Sequence, residues 1–350
     1  MTEMVKRYLE KAIYEKVFPG CACAIVKTEK TEIITLGRYS YDSDSRLIDE
    51  HSVFDVASIT KAIPVSSLAL KLLELGSLKL TDTLIDFLPE YNGNYREQIT
   101  VHHLLTQTLS FSFRLSECKS KPPSEILDCI MNAKLQDEPG RSCNYANATS
   151  ILLGMVIERC SGMKLEEAAV KYFFDPLAMN KTCFHPEKFD KQFIVPTEID
   201  PWRNRLVQGE VHDESAWAMR PLIVGSAGLF STIADLSKFA EMLINDGTSK
   251  DCQIFKPETI RCMYQNQFLN ETDKYTGLGW ELNQYETMGK QTCVSVFGKT
   301  GFTGCSIAIN PDSRTGYILL SNYLFPRRKE NRTAINIVRR ALAEMVLNKI

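Results

Sequence analysis

Apolar residues open this chain at helical spacing. Met4, Val5, Tyr8, Leu9, Ala12 and Ile13 share one face, so the pattern predicts an amphipathic helix that stops at Phe18-Pro19-Gly20. The period then changes: Cys21 to Val26 is a nearly unbroken apolar run and Ile33 to Leu36 a shorter one, and both read as strands. The far end of the chain has strand-like runs at Cys293 to Phe297, Ser306 to Ile309 and Tyr317 to Leu320. The last two are joined through the turn signal Asn310-Pro311-Asp312-Ser313. A closing helix follows, with Ile335, Val338, Ala341, Leu342, Met345 and Val346 on one face. Between these ends the pattern is helical, at Ile63 to Leu75, Val101 to Leu105, Ala148 to Cys160 and Leu165 to Phe174. The economical architecture is an α/β (α+β) layer made by both chain ends around a mostly helical insertion. Within one domain spanning 1–350, the layer takes in about 1–60 and 230–350, and the insertion about 61–229.

Composition narrows the function classes. The chain has 350 residues with 44% hydrophobic content, enough to bury a large core. Its 41 Lys and Arg against 43 Asp and Glu leave a net charge of -2 without long runs of either sign, so no nucleic-acid partner is expected. Met1 to Tyr8 is charged and lacks the apolar stretch of a secretory signal, and no window approaches the roughly twenty apolar residues of a membrane span. A cytoplasmic protein with no membrane partner, acting as a monomer, is the expectation. The 11 cysteines form an odd set with no CxxC pair, which fits small buried hydrophobes in a reducing compartment. Cys183 and His185 make half a metal site, but no second half has ligand spacing, so neither a metal nor a cofactor is expected.

Ser-x-x-Lys occurs three times, as Ser58 to Lys61, Ser116 to Lys119 and Ser161 to Lys164, so context must decide. Ser161 precedes Gly162 at the end of a helical run and reads as a helix stop; Ser116 lies in a polar stretch before Pro122-Pro123. Ser58 follows Val53-Phe54-Asp55-Val56-Ala57 and leads into an apolar helical pattern. That puts it near a helix N-terminus, where free N–H groups favour developing negative charge and Lys61 shares its face one turn later. Tyr145-Ala146-Asn147 follows the turn signal Pro139-Gly140, whereas the matching Tyr264-Gln265-Asn266 falls in the helical run Pro257 to Gln267 and suits a surface tyrosine. Lys299-Thr300-Gly301 ends a strand-like run and occurs once.

Ser58-Ile59-Thr60-Lys61, Tyr145-Ala146-Asn147 and Lys299-Thr300-Gly301, in that order, resemble the serine β-lactamase and penicillin-binding-protein family, specifically its class C branch with related esterases. The likeness extends to Pro19-Gly20, Leu104-Leu105-Thr106 and Gly277-Leu278-Gly279-Trp280. Val207 to Glu214 and Ala227 to Ser231 look like a subgroup of esterases and cell-wall-related hydrolases. The chain departs from the pattern at Gln107, where relatives commonly have histidine, and at Ser110, near an expected glycine. Lys299 stands where many esterase-like relatives carry histidine, which keeps carboxylate-bearing substrates in view. The resemblance implies a β-lactamase/transpeptidase-like fold with an antiparallel sheet flanked by helices.

It also implies catalysis through an acyl-Ser58 intermediate without a cofactor, on a small-molecule ester, amide or β-lactam. A serine hydroxyl needs a neighbouring base, and Lys61 and Tyr145 are the candidates. Free tyrosine titrates near about 10, and the ammonium groups of Lys61 and Lys299 are expected to lower that value. The oxyanion hole would use the backbone N–H groups of Ser58 and Phe302. Asn147, Lys299, Thr300 and Gly301 would bind substrate, with Asn147 holding a substrate amide or orienting Lys61. No G-x-S-x-G elbow is present, and His212-Asp213, as sequence neighbours, suit a loop clasp or pocket wall better than a Ser-His-Asp relay. Gly298-Lys299-Thr300 resembles a phosphate loop, but Cys293 stands where its first glycine belongs. A small-ester hydrolase, or an amidase acting on muropeptide fragments, fits a cytoplasmic protein. A class C β-lactamase or D-alanyl peptidase, and a catalytically inactive penicillin-binding-like module, are the competing readings.

Overall fold

The computed structural model describes residues 1–250, 252–268, 275–290 and 295–348. Helix α1 (Thr2–Tyr14) realises the first amphipathic pattern and buries Val5, Leu9 and Ala12. Strands β1 (Gly20–Lys27) and β2 (Lys30–Gly37) follow as an antiparallel hairpin. The other strands of this sheet are β3 (Glu281–Leu282), β4 (Phe297–Thr300), β5 (Ser306–Asn310) and β6 (Thr315–Ser321). Their order is β2-β1-β6-β5-β4-β3, and every neighbouring pair is antiparallel. The expected strand at Cys293 to Phe297 begins later, at Phe297, and Cys293 itself lies outside the described residues.

The unbroken apolar run of β1 has a simple cause: both faces of the strand are covered. Ala22, Ala24 and Val26 point into one core with Ile307, Ile318 and Leu320. Cys21, Cys23 and Ile25 alternate into a second core with α1 and the C-terminal helix, which places Ile335, Val338, Leu342 and Val346 there. The first core continues through α-helices of the middle segment without a break and takes in Val56, Ile59, Ala62 and Ile63 around Ser58.

Four helices of that segment bear on the site: α2 (Ser67–Glu74), α3 (Val101–Thr106), α4 (Asn147–Ser161) and α5 (Glu214–Ala218). Helix α6 (Ile233–Ile244) then packs on the sheet, and α7 (Thr333–Leu347) ends the chain. The helix expected over Ile63 to Leu75 is shorter than the pattern implied. Residues Ala57–Lys61 form a 3₁₀ turn, Ile63 leaves helical geometry at φ -116°, ψ 106°, and regular α-helix starts only at Ser67. Pro64, which has no N–H to donate, lies in this break. The Leu165 to Phe174 run is likewise split, into a short α-helix at Leu165–Ala169 and a wider turn at Val170–Phe174.

Helix α4 approaches the backbone at Gly225 so closely that a Cβ there would lie 2.2 Å from the Ser150 carbonyl oxygen. Gly225→Ala is expected to lower stability by about 1–3 kcal/mol through this overlap. Thermal unfolding of the variant checks it, and an unchanged midpoint would show that α4 yields freely.

Candidate active site

Ser58 occupies the second position of the 3₁₀ turn, and Lys61 its last. In such a turn side chains three apart eclipse, which is a tighter apposition than the α-helical spacing the sequence suggested. Lys61 Nζ accordingly lies 3.1 Å from Ser58 Oγ and donates a 2.5 Å bond to the Ser226 carbonyl. The helix-terminus argument for Ser58 therefore changes: what sits under the hydroxyl is a buried amine rather than the start of a long α-helix. Burial pulls the Lys61 amine down to about 8, against the pull of Asp213 and Glu281.

Tyr145 arrives from a loop more than eighty residues away, and its hydroxyl is 2.5 Å from Ser58 Oγ. Gln107, at the position where relatives carry histidine, holds that loop. It is the C-cap of α3 in a left-handed conformation (φ 56°), its carbonyl accepts the Asn144 N–H at 2.9 Å, and its side-chain oxygen accepts the Ala146 N–H at 3.3 Å. Both Lys61 Nζ and Lys299 Nζ stand 4.9 Å from the centre of the Tyr145 ring. The expectation that these ammonium groups lower the phenol is overturned. Burial raises it to about 12, outweighing the opposing pull of Lys299 and of the Ser58 bond. Although the residue as a whole is 53% exposed to the cleft, its hydroxyl end is enclosed by Ser58 and the two lysines, and that end is what titrates.

Lys299 comes from β4 and is also buried, donating a 2.6 Å bond to Glu281 Oε1. Register explains the pair: Gly298 stands opposite Glu281 across β4 and β3, which brings the acid beside the next residue. Glu281 was not singled out from the sequence, and its place next to Trp280 in the Gly-Leu-Gly-Trp run was the available signal. Beyond Lys299, the Gly301 backbone lies against the nucleophile turn, where a Cβ would meet the Val56 carbonyl at 2.5 Å. Buried Arg339 of α7 donates to the Gly301 carbonyl at 2.6 Å and the Cys305 carbonyl at 2.9 Å. Sequence reasoning did not find this arginine either, because in the helical pattern it looks like any charged position.

Ser58, Tyr145, Asn147, Thr300 and Phe302 line one cleft of about 590 Å³, with Asp213, Glu281 and Arg332 also on its walls. Asn147, at the start of α4, donates to Asp213 Oδ2 at 3.2 Å. It makes no bond to Lys61 among those of the described residues. Asp213 also caps α5 through the Ala216 N–H, at 2.8 Å, so the His212-Asp213 pair is a clasp and a wall, as the sequence suggested. His212 itself is buried, its Nδ1 3.0 Å from Thr197 Oγ1 and its ring 5.6 Å from that of Phe302. The other two Ser-x-x-Lys serines behave as context implied. Ser161 Oγ accepts the Met163 N–H past the end of α4, and Lys119, after Ser116, pairs with Glu214. Tyr264 is half-buried rather than on the surface, with its ring 5.7 Å from Phe297.

Burial, with Arg328 and Arg203 adding to it, pulls His212 from 6.5 to about 3. A depressed histidine contributes stability that is complete above its ordinary value and lost as pH falls toward the folded value. The urea midpoint should therefore drop as pH goes from about 6.5 toward about 3, and His212→Gln should drop less over that interval. Parallel profiles for the two proteins would remove His212 as a cause.

The family description Beta-lactamase matches residues 3–340. A putative D-alanyl-D-alanine carboxypeptidase of Escherichia coli K12 is 26% identical over 302 residues, covering 77% of this chain and 69% of that protein. A protein of the same description from Salmonella agona is 24% identical over 309 residues, covering 79% and 70%. Among solved structures, the octameric penicillin-binding protein homologue from Pyrococcus abyssi superposes with a TM-score of 0.76 at 22% identity, over 99% of this chain and 78% of that one. EstCE1, a hydrolase with promiscuous acyltransferase activity, gives 0.77 at 18% identity, over 98% of each chain. These two carry the fold: a β-lactamase/transpeptidase-like mixed α/β architecture with an antiparallel sheet. With the family match spanning nearly all of its length, this chain belongs to the beta-lactamase family and is a serine hydrolase of the β-lactamase and penicillin-binding-protein superfamily.

Proposed function

We propose that the protein cleaves small esters or amides through an acyl-Ser58 intermediate, with Lys61 as the resting proton acceptor and Tyr145 as the group that passes the proton on. The observation that carries this reading is the position of Ser58 Oγ between the Tyr145 hydroxyl at 2.5 Å and the Lys61 amine at 3.1 Å. A phenol held at about 12 is neutral near pH 7 and cannot deprotonate serine as a phenolate, whereas an amine near 8 is partly neutral there. The Ser226 carbonyl takes one N–H of Lys61, which leaves the lone pair of the neutral amine for the serine proton. In this reading the Tyr145 O–H protonates the leaving group and becomes a phenolate beside the Lys61 ammonium; in deacylation the phenolate takes a proton from the attacking water, and the ammonium returns its proton to Ser58 Oγ as the acyl group departs. The Ser58 and Phe302 N–H groups are assigned to the oxyanion, both residues facing the cleft. Asn147 and Thr300 complete the substrate wall, with Gly301 behind it against the Ser58 turn, and no cofactor is called for.

For substrate choice the Lys299 pairing matters. A substrate carboxylate reaching for this ammonium must compete with Glu281, which favours uncharged esters over β-lactams. The competing reading, a class C type β-lactamase or a peptidase, rests on the presence of Lys299 and on the carboxypeptidase description of the relatives. The cytoplasmic location and monomeric state expected from the sequence remain part of the proposal; the Pyrococcus homologue is octameric. No described helix is long and apolar enough to cross a membrane.

Fluorophosphonate labelling followed by peptide mapping is expected to mark Ser58, and Ser58→Ala to lose both label and p-nitrophenyl butyrate hydrolysis. In the parent enzyme kcat/KM for the ester should rise with pH to a plateau, with its midpoint at about 8 as Lys61 loses its proton. A plateau reached already at pH 6 would exclude Lys61 as the acceptor.

Glu281→Gln tests substrate choice separately. Freeing Lys299 should raise the ratio of cephalosporin to ester kcat/KM by roughly tenfold, the worth of one charge-assisted bond. If the ratio stays constant, Glu281 does not set the preference.

A further inference from the structure

Asp55 stands three residues before Ser58 and is buried, 3% exposed, outside the lining of the cleft. Its two carboxylate oxygens have different partners. Oδ1 accepts the Ala57 N–H at 2.8 Å, a local bond that closes the nucleophile turn. Oδ2 accepts the His212 N–H at 2.7 Å, from a residue 157 positions further along the chain. The main-chain oxygen of Asp55 accepts a third bond, from Thr303 Oγ1 at 2.8 Å, in the turn that carries Phe302.

These bonds converge on the parts of the site that must keep their spacing. Ala57, immediately before the nucleophile, has φ 48°, a left-handed conformation that disfavours a residue with a Cβ. Its N–H needs a fixed acceptor for the turn to persist. His212 precedes Asp213, which holds Asn147 at 3.2 Å. A residue needed only for the local turn would use one oxygen; this one uses both, and its backbone as well.

We propose that Asp55 is a positioning residue for acyl transfer: one buried carboxylate sets the distance between the Ser58 turn and the His212-Asp213 wall, while its carbonyl sets the Phe302 turn. The assignment rests on Ser58 being the nucleophile. Burial pushes the Asp55 carboxyl up to about 6, with Asp213 adding to the rise and the two N–H bonds and Arg203 opposing it. It is therefore ionised at neutral pH and accepts both bonds. An asparagine is almost the same shape but has one acceptor oxygen, and its NH₂ would face one of the two N–H donors.

The test compares the parent enzyme with Asp55→Asn, and with Thr303→Val as a milder variant that removes the bond to the Asp55 carbonyl together with a longer contact to Cys305 Sγ at 3.5 Å. Folding is checked by circular dichroism and thermal unfolding, and the labelled serine is first mapped in the parent. With p-nitrophenyl butyrate, Asp55→Asn is expected to lose roughly a hundredfold in kcat through misplacement of the serine, with the fluorophosphonate labelling rate falling in parallel. KM should stay within about twofold, since the groups that contact substrate are untouched. Thr303→Val should lose kcat in the same manner by about three- to tenfold. A folded Asp55→Asn enzyme with parent kcat overturns the proposal. If that variant does not fold, Thr303→Val decides, and parent kcat there overturns it equally. A label found on another residue in the parent sinks the nucleophile reading and this one together, whereas a label on Ser58 with insensitive variants sinks this one alone.

Discussion

The burial of one lysine amine under one serine hydroxyl is the constraint on which the rest of this site depends. Lys61 is almost without solvent, and its polar contacts are the Ser58 hydroxyl and a main-chain carbonyl. Taking an ammonium out of water is costly, and the cost appears as an amine pulled down to about 8. The surrounding structure must then keep water out and still bring the Tyr145 hydroxyl to the serine. The first core, which takes in Val56, Ile59, Ala62 and Ile63 on either side of Lys61, meets the first need, and the Gln107-held loop meets the second.

Charge in the cleft is arranged in pairs. Lys299 is held by Glu281, and Asn147 by Asp213, which also caps α5. Behind the wall, Glu198 is fully buried and bonded by Arg328, whose guanidinium also reaches Glu214. Each buried charge has a counter-charge or hydrogen bonds, as a low-dielectric interior demands. Of the cations on the cleft wall, Arg332 and Arg339 have no carboxylate within ion-pair distance among the described residues, and Arg339 is committed to two main-chain carbonyls.

Asp55, Gln107 and Arg339 fasten the scaffold around the cleft. Each has a polar side chain that fastens backbone from a remote segment: the His212 N–H, the Ala146 N–H and the Gly301 carbonyl respectively. Backbone fastened this way loses little order when substrate enters, so the geometry for acyl transfer exists in advance.

The sequence by itself determined the elements whose signal is local. The 3.6-residue period of α1 and α7, the apolar run of β1, the Asn310 turn and the three-residue spacing of Ser58 and Lys61 are all properties of neighbours along the chain. It also singled out one Ser-x-x-Lys among three, because Gly162 and the flanking prolines mark the others as helix ends and loops. Tertiary structure decided what depends on groups distant in sequence. The break at Ile63 and Pro64 delayed the expected helix to Ser67, strand register brought Glu281 to Lys299, and Asp55 met His212 across 157 residues. The acid–base balance belongs to this second group. Two lysines near a tyrosine argue for a low phenol on paper, but enclosure of its hydroxyl raises it instead, since desolvation depends on every atom packed around a site and no motif records that sum.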